Sequence, residues 1–451
     1  SETAANAGLG MDVYVERVPR REASMEPFEV MTSESQERML AIVTPQSVPA
    51  VLAIAEKWEI PAAVVGIVTA PETFGGREDV GMLSIFDDGR LVAEVPAKSL
   101  ADGAPLYDRP RARPEGFEER AAQDPTDACR QVDVAAELSK MVFDPKEIYS
   151  QYDHQLFLNT VVGPGANATL LRLSSPEIGY SRKGIGLSAD GNSRWCALDP
   201  RRGSELVVAE SALNVALVGA VPTCMVDCLN FGNPEHPEVM WELSESIDGI
   251  AKASNELGVP VVGGNVSLYN EARGRNIEPT PVLTTLGLVD EVKAAPPAKC
   301  YRSGDSLVLV GETEANLAGS RLAWVNLGLR GGTLPHLDYP RHQQLIDAVV
   351  ELVRSAEDFS VSAISDVSDG GLGLCLYEMA RASGLGFELE GTGDDPVVEL
   401  FSESPSRVVL ATSAPDQVVT YFAAAGLPAT VIGHVTDSKV ASFGGGASLA
   451  L

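Results

Sequence analysis

The most specific pattern of chemically useful residues lies in the segment 261–271. Gly263 and Gly264 follow an apolar run there, and Asn265 and Ser267 come directly behind them. Glycine lets a ligand approach the backbone closely, and an amide oxygen and a hydroxyl suit Mg²⁺ or a phosphate. The alternative is a plain turn with Asn265 at positive φ. The segment matches neither a Walker A loop nor a Gly-x-Gly-x-x-Gly dinucleotide loop, so any nucleotide contact here is of another kind.

A second polar stretch begins at Asp227, directly after an apolar run, and continues to His236. A carboxylate that closes a strand, ahead of a Pro/Gly loop that opens a helix, commonly contacts a nucleotide or its metal ion. Asp227 could equally cap a turn. His236 lies between two loop prolines, and we interpret it as part of the loop rather than as a general base. The stretch therefore adds one carboxylate to the candidate site.

A third stretch, 32–38, contains Glu34, Ser35 and Gln36. Such side chains beside a helix start or a bulge can bind a sugar, an amide or a phosphate. The same residues also satisfy a helix-capping pattern. Both interpretations remain open from the residues alone.

A fourth stretch, 365–371, carries the carboxylates Asp366 and Asp369. The two side chains could hold a divalent cation, or they could cap the helix that follows Gly371. We favour the structural interpretation at this position.

An internal repeat in the sequence shows how the domains that carry the four stretches are arranged. Three pairs of segments align, with an offset that drifts from 376 to 367: 2–13 with 378–389, 33–40 with 402–409, and 65–69 with 432–436. One kind of domain therefore occurs twice, and its first copy lacks roughly 80 residues that the second copy has. We expect the sequence to be a fragment of a longer tandem protein.

The internal repeat contains a second version of the third stretch. Glu34 and Ser35 recur as Glu403 and Ser404, whereas Gln36 is replaced by Pro405. A duplicated scaffold often keeps one working site, so the copy with the complete Glu-Ser-Gln sequence is the better functional candidate.

Hydrophobic periodicity and breakers predict an α+β chain with four segments. These are a partial domain (1–105), an exposed connector rich in Pro, Arg and Glu (106–130), a middle domain (131–295) and a final domain (296–451). In the middle domain we predict helices at 203–218 and 237–258 and strands at 259–262 and 281–289. The turn 263–265 would end the first of these strands.

Composition limits the classes of function. With 45% hydrophobic and 22% charged residues the chain is globular, and its net charge of -29 argues against nucleic acid or anionic lipid as a partner. An anionic ligand must then be held by local donors or a metal ion. Six dispersed cysteines, with no signal peptide and no long apolar run, predict a cytoplasmic protein.

Together, the stretches beginning at Asp227, at Gly263, at Asp366 and at Met31 resemble phosphoribosylformylglycinamidine synthase of the small PurL type. They occur in the order that this family shows, and the resemblance covers essentially the whole chain. It implies tandem AIR synthetase-like A and B domains, A1-B1-A2-B2, of which B1 in part, A2 and B2 are present and A1 is missing.

The resemblance implies an ATP-dependent ligase of purine biosynthesis that makes an amidine from formylglycinamide ribonucleotide, ATP and ammonia. The resemblance implies that the substrate is contacted by Glu34, Ser35, Gln36 and Ser267. It further implies that Asp227 and Gly264 contact ATP and that Asn265 binds Mg²⁺. The family's catalytic histidine belongs to A1, upstream of Ser1, so no catalytic residue is expected in this chain. Residues 188–194, the corresponding stretch of A2, contain no histidine.

The resemblance also implies partners, because no glutaminase domain follows Leu451. Ammonia would come from a PurQ-like glutaminase subunit, with a small PurS-like bridging subunit. Two alternatives remain open. The chain could be another ATP-dependent enzyme of the AIR synthetase superfamily, such as selenophosphate synthetase, or a structural half that holds a nucleotide without turnover.

Overall fold

The computed structural model describes residues 1–20, 22, 24–33, 38–177, 179–292, 296–390, 393 and 395–451. The chain forms two compact units, unit 1 (Ser1–Asp108) and unit 2 (Arg109–Leu451). Among the described residues, no helix combines the length and apolar character that crossing a membrane requires. All six cysteines are free thiols.

Unit 1 is built on a four-stranded sheet in the order β2-β1-β5-β6, with β3 and β4 as a separate hairpin. Its helices are α1 (Glu2–Ala7), α2 (Pro27–Thr32) and α3 (Val48–Lys57); its strands are β1 (Gly10–Tyr14), β2 (Gly66–Thr69), β3 (Glu72–Phe74), β4 (Arg77–Val80), β5 (Met82–Asp87) and β6 (Arg90–Pro96). A tight turn joins β5 and β6, with Asp88 and Gly89 at positive φ. Small and branched side chains such as Ala4, Leu83 and Ile85 form the core.

Unit 2 begins with a six-stranded sheet in the order β11-β10-β14-β9-β8-β7. Its helices are α4 (Phe117–Ala121), α5 (Thr126–Cys129), α6 (Val134–Met141), α7 (Lys146–Tyr149), α8 (Ser193–Leu198), α9 (Pro200–Ala216) and α10 (Pro237–Glu256). The strands are β7 (Thr160–Val162), β8 (Thr169–Ser175), β9 (Gly179–Asp190), β10 (Val221–Asn230), β11 (Val261–Ser267), β12 (Glu271–Ala272), β13 (Arg275–Asn276) and β14 (Thr280–Val289). Helices α9 and α10 share a core with the sheet.

Two predictions for this sheet are wrong. Residues 263–265 are not a turn, because β11 continues through them to Ser267, and Asn265 does not have positive φ. Asp227 does not close its strand either, since β10 extends to Asn230. Parallel pairing between β10 and β11 supplies the backbone hydrogen bonds that keep both segments extended.

The second part of unit 2 is a seven-stranded sheet in the order β16-β18-β15-β19-β17-β20-β21. Its strands are β15 (Ser306–Val310), β16 (Val361–Asp366), β17 (Gly386–Leu389), β18 (Val408–Thr412), β19 (Ala429–Thr436), β20 (Val440–Ser442) and β21 (Ser448–Ala450); its helices are α11 (Tyr339–Arg354), α12 (Gly371–Ser383), α13 (Pro396–Phe401) and α14 (Pro415–Ala424). A π-helical turn spans Leu322–Asn326.

The internal repeat is visible in strand register. Gly10 of β1 pairs with Thr69 of β2, and their repeat counterparts Gly386 and Thr436 pair in the same antiparallel way. The orders β2-β1-β5-β6 and β19-β17-β20-β21 correspond strand by strand. Helix α1 ends at Gly8 (φ 66°) as α12 ends at Gly384 (φ 65°), so both copies use the left-handed conformation that glycine favours.

The segment expected to be an exposed connector packs in part on unit 2. Thr126 and Cys129 are buried, and the backbone N–H of Ala112 donates to the carbonyl of Pro237. The Arg113 guanidinium lies over the ring of Trp241, 5.5 Å from its centroid. The charged composition therefore reflects contacts along α10 as well as exposure to solvent.

Candidate functional site

Two parallel strands of unit 2, β10 and β11, bring the predicted nucleotide residues together. Asp227 is opposite Gly264, and Cys228 is opposite Asn265. Strand β11 is the edge of its sheet, so its outer side is open to a ligand. Asp227 and Asn265 were separate motifs in the sequence, and strand pairing makes them neighbours.

Gly264 packs directly against the Asp227 side chain. A Cβ added at Gly264 would overlap Oδ1 of Asp227 and would lie 2.6 Å from its Cγ. The neighbouring Gly263 is different, because its added Cβ would meet only Val226 Cγ1, at 3.9 Å. Partial burial raises the pKa of Asp227. The absent side chain at Gly264 thus leaves the space that the Asp227 carboxylate occupies.

Asn265 and Ser267 lie further along the same strand. Asn265 is exposed, and Ser267 is half-buried at the end of the strand. The Asn270 amide donates to the carbonyl of Ser267 at 2.9 Å and to its hydroxyl at 3.1 Å. The described residues include no cluster of three or more His, Cys, Asp and Glu side chains placed to hold a metal ion. A Mg²⁺ ion here would take few protein ligands and complete its shell with water and phosphate, as is usual for Mg²⁺.

Glu34, Ser35 and Gln36 lie outside the described residues. Ser33 next to them ends α2, its hydroxyl donating to the carbonyl of Val30 at 2.9 Å. Their assignment to substrate stays a prediction.

The counterpart of this stretch in the second copy has structural contacts. Glu403 is buried and accepts hydrogen bonds from the backbone N–H groups of Arg321 (2.7 Å) and Gly370 (2.9 Å). It also forms an ion pair with Arg194 at 3.1 Å. Its carboxylate is therefore used to join three segments of unit 2.

Asp369 is likewise engaged in ion pairs, with Arg194 at 2.6 Å and with Arg321 at 2.9 Å. Asp366 is buried and accepts a hydrogen bond from Asn167. The capping interpretation of the fourth stretch is wrong, because the N-cap of α12 is Gly370 and no side chain among the described residues caps this helix. Asp369 forms ion pairs instead, and Asp366 belongs to a buried acidic cluster.

This cluster consists of Asp366, Asp190 and Glu210, with Asn214 bonded to Asp190, and it was not predicted from the sequence. Burial raises the pKa of Asp190 to about 6, and the nearby charge of Asp366 also raises it. Burial raises the pKa of Glu210 well above its usual range, and Asp190 and Asp366 add to this effect. Asn214 donates to Asp190 at 2.8 Å, but its own carbonyl oxygen is buried without a partner among the described residues. The spacing of Glu210 and Asn214, one turn apart on α9, is the sequence signal that could have revealed it.

Comparison with known proteins connects this architecture to a family. The family model described as "AIR synthase related protein, N-terminal domain" matches residues 165–289. The model described as "AIR synthase related protein, C-terminal domain" matches twice, at residues 1–79 and 302–445. The predicted fold class, α+β with tandem domains of this type, is confirmed.

The chain is similar to curated proteins named phosphoribosylformylglycinamidine synthase subunit PurL. The protein from Moorella thermoacetica is 40% identical over 441 residues, which is 96% of this chain and 58% of that protein. The protein from Aquifex aeolicus is 39% identical over 456 residues, 97% of this chain and 59% of that protein. The chain thus spans about three fifths of the length of these relatives.

Two solved structures from Thermotoga maritima are similar in fold. One is described as PurL complexed with ATP, and the other as PurLQS. Each has a TM-score of 0.64 and 25% identity and covers 96% of this chain; the chain covers 61% of the first and 60% of the second.

Proposed function

The chain belongs to the AIR synthase related family, and from that premise we propose that it is part of a PurL-type phosphoribosylformylglycinamidine synthase, an ATP-dependent carbon–nitrogen ligase of purine biosynthesis. The observation that carries this proposal is the fit of the Asp227 carboxylate against Gly264 on an open edge strand. Support comes from the similarity to PurL subunits over nearly the whole chain and from the Thermotoga protein described with ATP.

The proposed reaction replaces the amide oxygen of formylglycinamide ribonucleotide by nitrogen. ATP transfers its γ-phosphoryl group to that oxygen, which gives ADP and an iminophosphate. Ammonia then adds to the carbon, and the oxygen leaves as inorganic phosphate. An amide oxygen is a poor leaving group, so the phosphoryl group makes its departure possible. Catalysis of such a transfer depends mainly on positioning and on stabilising negative charge.

We assign the described residues to two ends of this site. Asp227 and Gly264 contact ATP, Asn265 is a ligand of Mg²⁺, and Ser267 contacts the ribonucleotide. Asn265 is exposed and directly follows Gly264, which pairs with Asp227. Its amide oxygen is a hard donor of the kind that Mg²⁺ prefers. When bound, Mg²⁺ would neutralise charge on the transferred phosphoryl group. In a chain with a net charge of -29, such local compensation is needed.

Outside the described residues, Glu34, Ser35 and Gln36 are proposed to contact the ribonucleotide as well. The repeat supports this assignment, because the equivalent Glu403 is occupied by structural contacts.

We propose two protein partners, a PurQ-like glutaminase that releases ammonia and a small PurS-like subunit that bridges it to this protein. The similarity to the assembly described as PurLQS supports this proposal. We also propose a cytoplasmic location, which six free thiols favour because oxidising compartments promote disulfides.

The test measures turnover of formylglycinamide ribonucleotide with ammonium by the enzyme that contains this chain, as a function of Mg²⁺ at fixed ATP. Asn265→Ala should raise the Mg²⁺ concentration for half-maximal rate by about tenfold, the lower end of the effect of disturbing a metal's ligand environment. The matched control is Asn255→Ala, since Asn255 is exposed near the end of α10. An unchanged Mg²⁺ dependence would contradict the assignment of Asn265.

The same preparation distinguishes the alternatives. Turnover of another substrate only would identify a different enzyme of the superfamily. Binding of Mg-ATP by the 451-residue chain, without turnover in the complete enzyme, would favour a half that only holds a nucleotide.

A further inference from the structure

A short arginine-containing hairpin follows β11. Strands β12 and β13 pair Glu271 with Asn276 and Ala272 with Arg275, so Arg273 and Gly274 form a two-residue turn. Both turn residues have positive φ, 55° and 72°, as a type I′ turn requires. Asn, Asp or Gly is the usual first residue of such a turn. An arginine held in this conformation indicates a role that its backbone preference does not explain.

The near end of this hairpin is fixed to the candidate site. The Asn270 amide donates to the carbonyl oxygens of Ser267 (2.9 Å) and Phe231 (3.0 Å). It thereby joins the end of β11 to the loop that follows β10. The hairpin therefore begins at a fixed position relative to Ser267.

The far end is fixed to the same loop. Asn276 accepts a hydrogen bond from the backbone N–H of Asn233 at 2.9 Å, and its amide lies 3.0 Å from Nδ1 of His236. Gly232 packs so closely that an added Cβ would lie 2.5 Å from the Cβ of Asn276. With both ends held, the turn at Arg273 has little freedom to move away from the end of β11.

Among the described residues, the two arginine side chains have no ion-pair partner. Both are exposed, and neither Arg273 nor Arg275 forms an ion pair or hydrogen bond through its side chain within the part of the chain that the structure describes. Other exposed arginines of unit 2, such as Arg182 and Arg330, lie beside a glutamate. The hairpin contains two arginines and one glutamate, Glu271, so its net charge is +1, whereas the net charge of the chain is -29.

We propose that Arg273 and Arg275 bind the phosphate of a phosphate monoester held at Ser267, the 5′-phosphate of the ribonucleotide substrate. This inference rests on the proposed function and adds the residues that recognise this phosphate. Guanidinium groups bind phosphate oxygens through paired, charge-assisted hydrogen bonds. Ser267 is three residues beyond Gly264, about 10 Å along an extended strand, so the hairpin is beyond the nucleotide contacts.

The test uses the 451-residue chain and two probes, ribose 5-phosphate and Mg-ATP, each titrated by calorimetry or by ³¹P NMR. The variants are Arg273→Asn and Arg275→Ala. Because Asn-Gly is a preferred type I′ turn, Arg273→Asn keeps or improves the fold. Arg90→Ala is the matched control, since Arg90 is an exposed residue that follows the equivalent turn at Asp88 and Gly89.

Each hairpin variant should weaken binding of ribose 5-phosphate about tenfold, which corresponds to about 1.4 kcal/mol, and should leave Mg-ATP binding within twofold. The control should change neither. Added salt should weaken the parent more than the Arg273→Asn, Arg275→Ala double variant, because exposed charges are screened.

Three outcomes would overturn the inference: no binding of ribose 5-phosphate by the parent at millimolar concentration, equal affinities in parent and variants, or a loss of Mg-ATP binding instead. The last outcome would assign the arginines to the nucleotide's phosphates. Failure of the parent chain to bind Mg-ATP would instead count against the proposed function, so the two failures are distinguishable.

Discussion

Adding one methyl group at Gly264 should reduce ATP binding, whereas the same change at Gly263 should not. In Gly264→Ala the new Cβ overlaps Oδ1 of Asp227 and approaches its backbone carbonyl oxygen at 2.9 Å. In Gly263→Ala the new Cβ meets only Val226, at 3.9 Å, an ordinary van der Waals contact. Neither glycine has positive φ, so alanine fits the backbone at both positions.

The size of the effect follows from what must move. The Asp227 carboxylate can rotate away, but the 2.9 Å approach to its carbonyl requires β10 and β11 to separate by a few tenths of an ångström. Overpacking of this kind costs about 1–3 kcal/mol. Because the displaced carboxylate is a proposed ATP contact, we expect ATP affinity to fall by about tenfold to a hundredfold, or 1.4–2.8 kcal/mol.

The assay is calorimetric titration of the 451-residue chain with Mg-ATP, combined with urea unfolding to report folding stability. Asp227→Ala removes the overlapping carboxylate, so Gly264→Ala should cost less in that background. A double-mutant cycle should give a coupling energy of at least 0.5 kcal/mol, as residues in contact do. Equal affinities of Gly263→Ala and Gly264→Ala, or a coupling of zero, would refute the reasoning.

Three further changes test the electrostatics of unit 2 by urea unfolding. Burial lowers the pKa of His342 to about 4, so as pH falls the unfolded chain binds a proton at this histidine before the folded chain does. The free energy of unfolding should therefore drop by about 3 kcal/mol from pH 6.5 to 4. His342→Gln should remove this contribution to the pH dependence of stability. Burial raises the pKa of Glu242 to about 7, so the folded state keeps the proton and loses stability as pH rises from 4.5 to 7. At pH 8, Glu242→Gln should therefore have a free energy of unfolding up to about 3 kcal/mol above that of the parent. An unchanged free energy of unfolding would contradict this cause. Glu403→Ala should lower the free energy of unfolding by about 3–5 kcal/mol, because it removes a buried ion pair with Arg194 and leaves the backbone N–H groups of Arg321 and Gly370 without their acceptor. Arg194 keeps its ion pair with Asp369, and a loss below 1 kcal/mol would show that the Glu403 contacts are not structural.

Local sequence signals were sufficient to predict much of the fold. The helices predicted at 203–218 and 237–258 are α9 and α10, each starting at a proline that favours the first helical turn. The repeat was visible because equivalent positions kept the same residue types, such as Gly8 and Gly384 at helix ends. These features depend on a few neighbouring residues, which is why one sequence reveals them.

The candidate site depended on information that local patterns do not contain. The Gly-Gly-Asn segment has the composition of a turn, yet parallel pairing with β10 keeps it extended. Which residue faces Gly264 is determined by the register of two strands more than thirty residues apart. The acidic cluster of Asp190, Glu210 and Asp366 combines three elements from distant parts of the chain. The helical spacing of Glu210 and Asn214 could have indicated only the part of this cluster that lies on α9.

The same dependence on tertiary contacts bears on which copy of the repeat binds substrate. A ligand that used Glu403 would have to replace its ion pair with Arg194 and its hydrogen bonds to the N–H groups of Arg321 and Gly370. Breaking a buried pair costs about 3–5 kcal/mol, which is comparable to the whole binding free energy of a millimolar ligand. A weakly binding substrate could not recover that cost, so the second copy is committed to structure. We therefore expect that substrate contacts made by this motif come from Glu34 in the first copy, a position outside the described residues.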